Sequence, residues 1–335
     1  MSALPAARED TAAPAAVFPA LSPDRHRPHS LHAAERSWPE TNCSVDLFVE
    51  VIAALGLPPE ALMGFTVTQD FEGDQFGFFK IPTEDLEALA GIRLAELAIF
   101  DEPERHVAEQ VARGRLPLVE LDSFFMPDTR GVSYRSEHGK TTVGVNRIDL
   151  SARRMEYFHN GGYFALDGAD FEGVWRTAER SAEQPFLPYS EFLKFGPAPD
   201  LATLPARAAE TLSRHLARRP ADNPVRAFQA RFAGQAAALY DRPAFFHKYA
   251  FNTLRQLGAN FELLASMLEW LDAAGYGETD GAETDARAIA ETAKVVQFQL
   301  ARAVARRKAD ALPGQMEPAA EAWDRLMAKL DRRFG

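Results

Sequence analysis

From Leu201 to Gly335 the patterning is helical throughout, and every strand-like run lies upstream of it. This segregation constrains the fold more than any other feature. Strands alternating with helices to the end would build a parallel α/β sheet. Strands gathered in one stretch give an α+β domain followed by a separate helical one. Leu116 to Asp122 reads as a buried strand, and Thr141 to Asn146 as another. Arg154 to Phe158 alternates polar and apolar residues after a turn at Asp149 to Arg153, and Gly161-Gly162 ends it.

Upstream of these strands the signals are helical. Apolar residues at 45, 47, 48, 51, 52 and 55 predict a helix buried on one side, stopped by Gly56 and Pro58-Pro59. A second helical pattern runs from about Pro59 to Met63. Phe65 to Thr68 and Gln75 to Lys80 are short aromatic or β-branched runs around a Glu72-Gly73-Asp74 turn. Further helices are expected from Pro82 to about Leu89 and from Glu104 to Arg113, the latter closed by Gly114. In the C-terminal part, Phe245 to Leu271 (interrupted only by Gly258), Ala286 to Lys308 and Pro318 to Arg333 predict a bundle. Breaks fall at Pro220 to Pro224 and at Gly275 to Thr284. Residues 1 to about 35 are rich in Ala, Pro, Arg and His without a period, and read as a mobile arm. The expected division is 1–35 arm, 36–197 catalytic α+β domain and 198–335 helical bundle.

Composition narrows the function classes. A net charge of -11 argues against nucleic acid as a partner, because phosphate binding needs a basic excess. No run of about 18 apolar residues is present, so no membrane span is expected. Arg8, Glu9 and Asp10 stand where a secretory signal would carry its apolar core. Cysteine occurs once, as Cys43, which excludes an internal disulfide and a Cys-rich zinc site and fits a reducing cytoplasm. The His, Asp and Glu residues show no local spacing of a zinc helix, so no metal is expected.

Cys43 precedes the first predicted helix, where the positive end of the helix dipole favours thiolate. It is therefore a candidate nucleophile, with an inert core thiol as the alternative. A cysteine nucleophile needs a base, and the base needs a group to hold its tautomer. Among eight histidines, His26, His29 and His32 fall in the arm, His106 on a helix, and His215 and His247 in the helical domain. That leaves His138, at a strand entrance, and His159, at the end of the next strand. If those two strands pair as a hairpin, Asn160 comes beside His138 and can orient it. Asn160 before two glycines also reads simply as a turn former. Phe71 to Phe76 is either a cleft-lining acidic turn or an ordinary hairpin turn. Arg302, Arg306, Arg307 and Lys308 are either routine helix-end charges or a docking patch for an acidic carrier protein.

The order Asn42-Cys43 before a helix, then Leu118 to Pro127, then His138 before a β-run, resembles the N-terminal domain of the butirosin-type aminoacyl acyltransferases. Those are papain-like proteins related to bacteriocin-processing peptidases. The chain also resembles a bacterial family carrying Asn-Cys-Ser-Val-Asp, Phe-Glu-Gly-Asp-Gln-Phe, Pro-Asp-Thr-Arg-Gly and Tyr-Phe-His-Asn, whose members tend to be encoded near carrier proteins and aminoacyl-carrier-protein ligases. The resemblance implies a papain-like fold with Cys43 as nucleophile, His138 as general base and Asn160 in the third position, with Asp149 as the fallback. Ser37 stands where papain-like peptidases carry their oxyanion glutamine. The backbone N–H of Cys43 with Asn42, Thr41 or Gln75 would then serve. Asp122 and His159, with Asn42 and Gln75, are expected to bind substrate. The implied activity is transfer of an acyl or aminoacyl group from the phosphopantetheine thioester of a carrier protein to a small amine or hydroxyl acceptor, with no bound cofactor. A cysteine hydrolase and a non-catalytic binding module are the alternatives.

Overall fold

The computed structural model describes residues 15–176, 188–276 and 280–335. Residues 1–14 of the expected arm and 277–279 of the expected C-terminal break lie outside the described residues. The fold is α+β, with a six-stranded sheet and a C-terminal helical region.

Helix α1 (Cys43–Ala54) starts at Asn42, whose Oδ1 accepts from the N–H groups of Ser44 at 3.1 Å and Val45 at 3.0 Å. Two of the donors left unpaired at a helix start are thereby satisfied. The short helical pattern after Pro58 extends further than expected. Pro59–Thr68 forms one continuous 3₁₀ stretch, so Phe65 to Thr68 is not extended. The hydroxyls of Thr66 and Thr68 bond back to the carbonyls of Met63 and Phe65, which favours a tight turn over a ladder. Next come α2 (Thr83–Ala90), closed by Gly91 in the left-handed region, and β1 (Ile92–Glu96).

Helix α3 (Pro103–Ala112) leads into β2 (Leu116–Asp122), β3 (Lys140–Asp149), β4 (Arg154–His159) and β5 (Gly162–Asp167). Helix α4 (Gly168–Trp175) and β6 (Ser190–Phe195) complete the sheet region, in the order β1-β6-β2-β3-β4-β5. Strand β2 is antiparallel to both neighbours. It runs from Leu118↔Gly144 to Asp122↔Lys140 on one side and from Leu116↔Leu193 to Val119↔Ser190 on the other. Val119, Val143, Val145, Met155 and Tyr157 pack with Val107 and Trp175 of the helices into one apolar core.

The helical region holds α5 (Leu204–Leu216), α6 (Pro224–Ala238), α7 (Phe246–Ala250), α8 (Gln256–Ala273), α9 (Ala282–Arg306), α10 (Leu312–Gln315) and α11 (Glu317–Phe334). A π-helical turn, Phe251–Arg255, separates α7 from α8 inside what the sequence presents as one helix.

The described residues divide into two compact units. The sheet unit takes the chain up to Arg25, Ala95–Tyr157 and Phe164–Lys194. The helical unit takes His26–Leu94, Phe158–Tyr163 and Phe195–Gly335.

The stretch expected to be a mobile arm makes defined contacts from residue 15 onward. In the sheet unit, Phe18 N–H donates to Asn146 Oδ1 at 2.7 Å and Ala16 bridges Arg147. In the helical unit, His29 N–H donates to the buried Glu50 carboxylate at 2.8 Å, and the His26 imidazole lies 3.0 Å from it. Trp38 anchors this segment. Its indole N–H donates to Ala290 O at 3.0 Å and its backbone N–H to Glu262 at 2.8 Å. Its ring lies on Gly258, where a Cβ would come within 2.3 Å of the indole nitrogen. A glycine in mid-helix weakens the helix, and here its bare backbone admits the indole.

Candidate functional site

The antiparallel register of β2 and β3 sets Asp122, the last residue of β2, opposite Lys140, the first of β3. His138 stands two residues before that strand. Its Nδ1 therefore reaches the Asp122 carboxylate, at 2.6 Å from Oδ2. The other oxygen of Asp122 accepts from the backbone N–H of Phe124 at 3.1 Å and of Gly139 at 3.2 Å. Partial burial alone would raise this carboxyl. The hydrogen bonds from His138, Phe124 and Gly139 outweigh it and hold Asp122 below the usual carboxylate range.

The imidazole lies flat on Phe124, with centroids 4.3 Å apart and planes 12° from parallel, and Phe125 meets it edge-on. Arg135 covers both phenyl rings and pairs with Asp170. The ring is thus held at one nitrogen and along one face. Its side chain is still 68% exposed, and the bond to Asp122 leaves Nε2 as the nitrogen open to a reacting group.

The expected orienting residue was Asn160, and the structure gives that position to Asp122. Asn160 is the first of the two residues between β4 and β5, with φ at 45°. Asparagine tolerates that backbone well. Gly161 follows because the His32 ring lies against it, where a Cβ would come within 2.6 Å. The Asn-Gly pair is a turn built to fit a neighbouring imidazole. Asp149, the fallback, uses Oδ1 to cap its own turn, accepting from Ser151 and Ala152.

Cys43 opens α1 and is half-buried. Its own N–H makes no hydrogen bond among the described residues, because Asn42 Oδ1 takes the next two. Asn42 is committed at both ends of its amide, its Nδ2 donating to Phe79 O at 3.0 Å, and it is buried. It caps and tethers the helix, and the expectation that its side chain meets substrate is replaced by that role. Three residues along α1, Asp46 accepts from the N–H and hydroxyl of Thr41, and burial pushes its carboxyl up to about 6 against the opposing pull of His32 and Thr41. Cys43 belongs to the helical unit and His138 to the sheet unit.

The remaining expected binding residues divide. His159 is buried at the end of β4. Gln75 and Asp74 line a cavity of about 310 Å³ in the helical unit with Gln235, Tyr249 and Asn252. The 71–76 turn closes by Glu72 N–H to Gln75 O at 2.8 Å, and Phe71 and Phe76 pack on Phe228. Sequence reasoning passed over one further pair. His215 Nε2 meets Asp85 Oδ2 at 2.6 Å, both side chains buried in the helical unit. The two lie 130 positions apart, so local sequence carries no sign of the pairing. Among the described residues no group of three or more His, Cys, Asp or Glu could hold a metal ion. None of their helices is long and apolar enough to cross a membrane.

No curated protein matches this chain. Residues 27–195 match the DUF1839 N-terminal domain and residues 202–332 the DUF1839 C-terminal domain, so the chain belongs to the DUF1839 family.

Proposed function

We propose that this chain is a papain-like, cysteine-dependent acyl or aminoacyl transferase. It would take an acyl group from the phosphopantetheine thioester of a carrier protein to an amine or hydroxyl of a small acceptor. The observation that carries the reading is the 2.6 Å bond between His138 Nδ1 and Asp122, which fixes the imidazole and leaves Nε2 to handle a proton. Cys43 Sγ attacks the thioester carbonyl as Nε2 takes the thiol proton. The bond from carbonyl carbon to pantetheine sulfur breaks, and the same proton passes to the leaving thiolate. The acceptor nitrogen or oxygen then attacks the acyl-cysteine carbonyl as its proton moves to Nε2, the bond from carbonyl carbon to Sγ breaks, and the same proton passes from Nε2 to the thiolate to restore the Cys43 thiol. The uncommitted N–H of Cys43 is a suitable donor to the carbonyl oxygen. Exposed Arg302, Arg306 and Lys308 near the end of α9 suit docking of an acidic carrier.

Hydrolysis is the second reading. It is favoured by the 68% exposure of the His138 side chain, which lets water serve as acceptor.

Alkylation tests the pairing of Cys43 with His138. Iodoacetamide is expected to label Cys43 at least about tenfold faster than free cysteine near neutral pH, and His138→Ala to slow it. Mixing with an aminoacylated carrier protein should add the aminoacyl mass to Cys43 and leave a Cys43→Ala control unchanged. Slow labelling indifferent to His138, with no mass on Cys43, defeats the enzyme and leaves a binding module.

A further inference from the structure

A second cavity, of about 320 Å³, lies wholly within the helical unit and is lined by groups that accept hydrogen bonds. Asn260 of α8 is fully buried there. Its Nδ2 donates to Thr66 O at 2.8 Å, which fixes which end of the amide is oxygen. The oxygen, Oδ1, is buried and has no partner. Gln69 is oriented in the same way. Its Nε2 donates to Gly77 O at 3.0 Å, which leaves Oε1 as the accepting end of the amide. That oxygen and Glu72 Oε1 converge on Gly77, lying 3.8 Å and 3.9 Å from where a Cβ would stand.

His215 also lines the cavity. Its Nε2 is held by the buried Asp85 carboxylate at 2.6 Å, which fixes the ring at the cavity wall. Asp70 stands at the rim. Of the two cations there, Arg218 is already paired, lying 3.6 Å from Glu84, and only Lys80 opposes the acids. Phe65 and Phe79, with centroids 6.4 Å apart, supply an aromatic wall.

A buried acceptor without a donor is costly, and Asn260 Oδ1 calls for an N–H or O–H from outside. A group with three donors and a positive charge meets that demand together with the acidic rim and the ring faces. We propose that this cavity binds a small primary amine as its ammonium ion, with the –NH3+ group donating to Asn260 and Gln69 and the apolar body resting on Phe65 and Phe79. Neither Cys43 nor His138 lines this cavity, and the proposal does not depend on the reading given for them.

Full-length protein titrated with phenethylamine, and separately with 3-phenylpropionate and 3-phenylpropanol, tests it by calorimetry. Phenethylamine should bind saturably and at least about tenfold more tightly than the acid or the alcohol, a preference of about 1.4 kcal/mol. Asn260→Leu should abolish that binding. Asp70→Asn and Glu72→Gln, both at exposed positions, should each weaken it several-fold while circular dichroism stays native. If Asn260→Leu fails to fold, the two rim variants decide. The Cys43→Ala variant should bind as the wild type does. Equal binding of acid and amine, no binding of phenethylamine to folded protein, or amine binding indifferent to the rim variants overturns the proposal.

Discussion

Asp122 shows how one side chain can hold both a loop and an imidazole. One oxygen holds two backbone N–H groups that shape the loop after β2, and the other holds His138. Asp122→Asn keeps much of that shape but weakens the charge-assisted bond to the imidazole. Acyl transfer to Cys43 is expected to fall by about 10² or more, with a melting temperature close to wild type; single-turnover mass spectrometry checks it. The residue types of this pair were visible in the sequence and their pairing was not. Sixteen positions separate them, and what joins them is the register Asp122↔Lys140, which no local pattern encodes. Asn160 is offered as an orienting group by an assumed hairpin register and as a turn former by its local sequence. Asn-Gly is a strong local signal, and the structure uses it as a turn.

At the scale of elements, α1 was readable because its apolar spacing and its asparagine cap agree. Strands β1, β5 and β6 were not foreseen: each has five or six residues with mixed burial, so neither period dominates. The π turn before α8 also escaped, since a side-chain pattern registers apolar spacing and not which carbonyl each N–H chooses. The first turn of α1 carries a measurable pH dependence. Asp46 holds its proton more tightly in the folded state than its ordinary value of 3.8 would allow, up to about 6. The native state therefore binds more protons than the unfolded chain in that window, and stability falls as pH rises through it. Asp46→Asn lacks this titration. Relative to wild type it should gain on the order of 3 kcal/mol between about pH 4 and about pH 7. Urea unfolding at the two pH values measures this, and a difference that stays flat would show that Asp46 is already ionised at the lower one.

For the whole molecule, the boundary drawn by family resemblance and the boundary drawn by packing do not coincide. The C-terminal family match begins at residue 202, yet the helical unit also contains His26–Leu94. The 3₁₀ stretch Pro59–Thr68 packs on α5 and α8, with Gly64 set so close to α5 that a Cβ would lie 3.2 Å from Leu212 Cα. A fragment of residues 195–335 thus lacks part of its own core. It is expected to be helical by circular dichroism but to bind ANS and to unfold without a cooperative transition. Adding residues 26–94 as a second chain should restore cooperative melting. A fragment that melts sharply alone would contradict this partition.

Trp38 closes contacts with Glu262 and Ala290, partners that lie 224 and 252 positions downstream. During synthesis the indole leaves the ribosome long before the helices that receive it. Cells must therefore shelter the aromatic and aliphatic residues of the early segment until translation is nearly complete. Slowing elongation near the end of the message should prolong chaperone association, whereas the same delay placed early should have little effect.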